Sequence, residues 1–300
     1  MKKGFTMIFT KTFLAIVIFT LSTFGQQAYA SGTKTYNLSG YAINVIVNKD
    51  GSANFEERLT YNFDGKFNGV TRDVDFSLTK GLKDKKVYVL ENDNLKELQL
   101  NPGNSLDATG KPGTYNFIEE GTLAKLKLFE VSENQEKTFV IKYKLIDAVT
   151  KYKDTAEFNR KIVDSRWKTR LDNIKIKITL PPGATKEELK IFAHGPLIGE
   201  SSILDGRTVD FTVPTVSPGT FIETLVLFPI KLVPGSSNVV DETALPRIMA
   251  NEATLADEAN KTREESRKQV QQRVEMQTQR KSVGNPLAIV LILLWFPIIY

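Results

Sequence analysis

Residues 173–180 read Asn-Ile-Lys-Ile-Lys-Ile-Thr-Leu, with branched apolar and polar side chains alternating without a break. Only an extended strand places Ile174, Ile176 and Ile178 together on one face and Lys175 and Lys177 on the other. Such a strand is wet on one side and buried on the other, the habit of antiparallel sheets. The same signature recurs along the chain. Tyr41–Val47 alternates, Asn48-Lys49-Asp50-Gly51 is a turn with the hairpin dipeptide Asp-Gly, and Phe55, Leu59, Tyr61 and Phe63 mark one face of the returning strand. Glu57 interrupts that apolar face. Further strands are expected at 86–90, 124–131, 138–145, 190–193, 208–213 and 221–230. Gly, Pro and Asn turns between them point to a mainly β fold, an antiparallel β-sandwich. Asn92–Gly113 reads as a long loop or ragged edge.

Composition limits what can hold such a sandwich together. There is no cysteine, so an exported body of about 200 residues relies on core burial rather than disulfides. The only histidine, His194, excludes a multi-histidine zinc site, and no cofactor is expected. The chain carries 40 basic and 35 acidic residues. Removing Lys2, Lys3 and Lys11 from the N-terminal segment leaves 37 against 35, with the signs interspersed. That balance argues against nucleic acid as a partner.

Both ends are apolar. Lys2, Lys3 and Lys11, the run Phe13–Phe19 and Ala28-Tyr29-Ala30 make residues 1–30 a secretory signal peptide. Residues 287–300 are uncharged and strongly apolar. This is somewhat short of the roughly 20 residues a spanning helix needs, so 284–300 is expected to be either a minimal C-terminal transmembrane segment or the start of a longer one. Between body and span, composition changes at Pro234-Gly235-Ser236-Ser237-Asn238. Residues 234–241 form a linker, and 242–283, rich in Ala, Glu, Gln, Lys and Arg, form a helical stalk with a thin stripe of Leu245, Met249, Ala253, Ala256, Ala259, Val270 and Val274. The expected extracytoplasmic domain is 31–233, in the cell membrane and facing outside the cytoplasm.

Four segments have a distinctive wording: Asn68-Gly69-Val70-Thr71-Arg72-Asp73-Val74, Glu157 to Trp167, Ile176 to Pro182, and His194-Gly195-Pro196-Leu197-Ile198-Gly199. Together they resemble the extracytoplasmic domain of bacterial predicted membrane proteins, the domain-of-unknown-function family 2207, over roughly residues 34–296. The resemblance implies membrane attachment and a connector leading into the membrane. It implies no catalytic residues.

The residues singled out therefore carry structural or interaction roles. Arg72 and Asp73 read as a buried or edge ion pair that fixes a loop. Glu157 belongs to the segment running into Trp167. Trp167 reads as a core anchor, or in the competing reading as an exposed platform for sugar or peptide. His194, before Gly195-Pro196, reads as a strand-end or turn histidine. Glu56 and Glu57 are adjacent on a strand and point to opposite faces, so they cannot flank one glycosidic bond. With no Gly-x-Ser-x-Gly and no cysteine, nucleophilic catalysis has no support. The expectation is a non-enzymatic envelope interaction or structural module with a cell-wall or envelope protein partner. The alternatives are a carbohydrate-binding module and an envelope hydrolase.

Overall fold

The computed structural model describes residues 34–101, 105–106 and 109–282, with the side chains of 280–282 left out. The expected signal peptide and C-terminal span lie outside these residues. Sixteen strands are described: β1 Thr35–Val47, β2 Ala53–Asp64, β3 Lys66–Asp75, β4 Leu82–Glu91, β5 Asn94–Glu97, β6 Gln99–Leu100, β7 Thr114–Glu120 and β8 Leu123–Glu133. They continue with β9 Glu136–Leu145, β10 Thr150–Lys151, β11 Ala156–Val163, β12 Leu171–Thr179, β13 Lys190–His194, β14 Glu200–Ile203, β15 Thr208–Val216 and β16 Ile222–Phe228. A 3-10 turn at Ile230–Leu232 and one long helix, α1 at Leu245–Ser282, follow.

Alternation does what the sequence pattern requires. In β12 the isoleucines are buried and Lys175 and Lys177 exposed; in β2 Phe55, Leu59, Tyr61 and Phe63 are buried. The β1–β2 hairpin closes through Asn48 and Ser52, with Gly51 at φ 76°. Glu57 follows its register rather than its charge and also points inward.

The strands form an eight-stranded sheet, order β14-β15-β12-β1-β2-β9-β4-β5, and two four-stranded sheets, β10-β11-β16-β13 and β3-β8-β7-β6. Their inward faces share one apolar core. Two of the three sheets are mixed, not purely antiparallel: β1 and β12 run parallel, Leu38 opposite Leu171 through Ile46 opposite Thr179, and so do β6 and β7, whereas β10-β11-β16-β13 is antiparallel throughout. Alternation reports which face of a strand is buried but not the direction of its neighbour. The 92–113 segment, expected as a long loop or ragged edge, contains β5 and β6, which extend sheet edges.

Helix α1 starts against the outer face of the second sheet. Leu225 and Leu227 of β16 pack with Ala244 and Ile248, joined by Tyr152, Phe192, Leu245 and Met249. Asp154 accepts from the amides of Ala244 (2.9 Å) and Leu245 (3.0 Å), capping the helix from another part of the chain. The expected stripe is covered only in part. Ile248 and Glu252 are buried and Met249 and Ala259 half-buried, whereas Ala253, Ala256, Val270 and Val274 are exposed, Ala256 at the edge of a groove between helix and sheet. Among the described residues no helix is long and apolar enough to cross a membrane.

Candidate functional site

The 68–74 motif contains its own structural logic. Gly69 sits at a register shift between β3 and β8 with φ 156°, and a Cβ there would lie 1.9 Å from the Leu128 carbonyl oxygen. Beyond this bulge Val70, Arg72 and Val74 face the core, and Thr71 and Asp73 face out. Adjacent strand residues diverge, so the expected Arg72–Asp73 ion pair does not form. Arg72 instead pairs with Glu57, and it reaches Asp73 only at the backbone carbonyl. Its Nε donates to Glu57 Oε2 (2.8 Å) and its Nη2 to Glu57 Oε1 (3.0 Å) and the Tyr41 hydroxyl (3.0 Å). Glu57 also accepts from Tyr41 (2.7 Å) and Tyr143 (2.5 Å). Glu57 is 1% and Arg72 5% exposed. Burial works to lower the Arg72 pKa, but the Glu57 carboxylate outweighs it and holds the guanidinium well above its ordinary value. Burial foremost, with Glu57 adding to it, pushes the Tyr143 phenol up.

Arg72 supports a surface recess of about 260 Å³, whose walls include Tyr36, Asp73, Asp164, Arg166 and Trp167. Trp167 is presented by a local turn in which Asp164 accepts from the Arg166 amide (2.8 Å), and its carbonyl is held by the Gly219 amide (2.9 Å). Trp167 is half-buried, packed on the core yet lining the recess. The Arg72 guanidinium carbon lies 5.4 Å from its ring centroid and Tyr41 stacks at a tilt 6.0 Å away. Arg166 grips Asp164 with two bonds of 2.9 and 2.8 Å. Burial pushes the Asp164 carboxyl up, but the Arg166 contacts prevail and hold it below its ordinary value.

His194 and Glu157 lie elsewhere, on the face of the second sheet that α1 covers. His194, the last residue of β13, is no free turn residue. Its Nδ1 lies 3.2 Å from Glu223 of β16 and its Nε2 2.8 Å from Glu252 of α1, so it bridges strand and helix. Glu223 first, then Glu252, raises its pKa to about 9 against the effect of burial. Beside this bridge runs a groove of about 530 Å³ between α1 and the sheet, with Phe192, Phe221 and Leu255 among its walls. Glu157 stands opposite Leu227; burial raises its carboxyl above the usual value, against hydrogen bonds from Asn159 and Tyr152. No group of acidic and histidine side chains among the described residues is arranged to hold a metal ion.

The structure thus gathers Arg72, Asp73 and Trp167 at one recess and separates Glu157 and His194 from it. Tyr41, Tyr143, Glu223 and Glu252 were not singled out from the sequence, and Glu57 stood out only as a break in an apolar strand face. One signal was present: a carboxylate on an otherwise apolar strand face needs a buried cation, and Arg72 supplies it.

Among solved structures, the chain is similar to a putative protease from Parabacteroides distasonis, at 10% identity and TM-score 0.38 over 65% of this chain and 40% of that one. It is also similar to an M1 zinc metallopeptidase from Deinococcus radiodurans, at 10% identity and TM-score 0.34 over 63% and 42%. The chain therefore spans less than half of either structure, and likenesses at these scores bear on neither activity nor substrate. No curated protein matches it. The model of one family, the predicted membrane protein (DUF2207) N-terminal domain, matches residues 37–228, and the chain belongs to that membrane protein family.

Proposed function

We propose that this protein is a membrane-tethered interaction module of the cell envelope, without catalysis of its own, that carries its β body outside the cytoplasm on the α1 stalk and meets its partner at the Trp167 recess. The observation that carries this reading is the construction of the recess. A half-exposed Trp and Tyr36 stand over a floor already fixed by the buried Glu57–Arg72 pair. A recess whose polar groups are held before contact loses little order on binding. Two of the carboxylates at or beneath it are engaged, Glu57 with Arg72 and Asp164 with Arg166. Asp164 is held ionised, the opposite of what a glycosidase acid requires.

The aromatic pair favours carbohydrate over a purely structural contact, since sugar rings stack on such side chains. Trp167→Ala tests the reading in the full chain in detergent, by sedimentation with purified envelope polymer and by a thermal melt. Lost binding with a melting temperature lowered by only a few degrees is the expected result. Full retention of binding refutes the recess as the contact. A collapse of the melt would make Trp167 a core residue only, because truncating a fully buried Trp costs about 3–5 kcal/mol.

A further inference from the structure

The outward face of the eight-stranded sheet, remote from the recess, holds a charge pattern that folding alone disfavours. Across the β9–β4 ladder Lys144 stands directly opposite Lys83, and Lys142 opposite Lys86. Like charges in opposed positions destabilise an antiparallel pair. Lys142 is offset by Glu56 at 2.9 Å and Lys144 by Asp50 at 3.7 Å. Lys83 and Lys86 have no ion-pair partner among the described residues, and both are exposed. On β12, three strands from β9, Lys175 and Lys177 are likewise exposed and without an ion-pair partner among the described residues. Arg58 of β2 points to the same side and shares Glu56 with Lys142.

Seven cations therefore occupy the five strands from β12 to β4. The carboxylates nearby are Asp50 in the turn, Asp84 in the β4 bulge, Glu200 and Glu97 on outer strands, Asp210 of β15 directly opposite Lys177, and Asp172 of β12, which pairs with Arg170. Glu56, the central one, is already bonded on both sides. Helix α1 packs on a different sheet, so it does not cover this face. A face whose local repulsions run against its own stability is where a function is expected to reside.

We propose that this face binds a linear polyanion, a polymer of repeating phosphate groups. Strands stand about 4.8 Å apart, so the β12 lysines and the β9–β4 cluster form two basic rows roughly 14 Å from each other. A chain of phosphates lying between Lys83 and Lys144, and between Lys86 and Lys142, replaces repulsion with attraction on both sides. A polymer is favoured over a lipid surface because exposed Ile46, in the strip between the rows, is too small an apolar anchor for insertion.

The test uses the full chain in detergent and labelled long-chain inorganic polyphosphate, titrated at about 50 and about 200 mM salt. Parent protein should bind, with affinity falling steeply as salt rises. The variant Lys83→Gln/Lys86→Gln/Lys175→Gln/Lys177→Gln should bind at least about tenfold more weakly with a shallower salt dependence. It should melt no lower than the parent, because it loses repulsion and no apolar contact. A control with the same charge change on α1, Lys261→Gln/Arg267→Gln/Lys268→Gln/Arg273→Gln, should bind as the parent does. Trp167→Ala should also bind normally, which separates this proposal from the recess. The proposal is overturned if the fourfold variant binds like the parent, or if the α1 control weakens equally. It is also overturned if the parent binds phosphatidylglycerol vesicles but not polyphosphate.

Discussion

Glu57 and Arg72 sit at 1% and 5% exposure, where an unpaired charge costs several kcal/mol. Their mutual bonds and the two tyrosine hydroxyls satisfy most of the polar atoms, so the pair is tolerated rather than strongly stabilising. Breaking it is a different matter, because one charge is left alone. Glu57→Ala should destabilise the protein by about 3–5 kcal/mol, a large share of the roughly 5–15 kcal/mol typical of a domain. Glu57→Leu combined with Arg72→Met should recover much of that loss. Denaturant titration of both variants checks this; equal stability of Glu57→Ala and the parent would show that the pair is not closed in solution. The burial of Glu57 was legible in its register, and the need for a cation followed from it. Which cation could not be read, since Arg72 reaches Glu57 only because the Gly69 bulge turns β3 inward.

At the scale of elements, α1 is held by contacts of different kinds: the Asp154 cap, the Ile248 patch, the His194–Glu252 bridge and a hydrogen bond from Arg263 to the Leu197 carbonyl. The bridge gives docking a pH dependence whose sign can be worked out. His194 has a folded pKa of about 9 against an ordinary 6.5. Its contribution is complete below 6.5, declines between 6.5 and 9, and is lost above about 9. The difference in melting temperature between the parent and His194→Gln should therefore shrink as pH rises from 6 to 9.5. A constant difference would mean that folding does not raise the imidazole pKa. The existence of the helix was plain from composition, but its buried face was not. The stripe of alanines and valines follows helical spacing as well as Ile248 and Glu252 do, and only the position of β16 selects between them.

For the whole molecule, membership of a membrane protein family sets attachment, while the side on which the β body lies is part of the proposed function. Protease added to intact, wall-stripped cells should digest the body, and full protection until lysis would place it inside. This outcome bears on the recess and on the basic face alike, since both need access to envelope polymers.

The sequence by itself determined the strands with one wet face, the Asp-Gly hairpin, the long polar helix and the family, because each depends on local periodicity or wording. Tertiary structure alone decided the parallel pairing of β1 with β12, the bridge from His194 to α1 and the half-exposure of Trp167. It also decided the meeting of lysines across β9 and β4. Each of these depends on which segments become neighbours. A strand's own alternation sets the face its side chains occupy, and the chain's path through three sheets sets what stands opposite them.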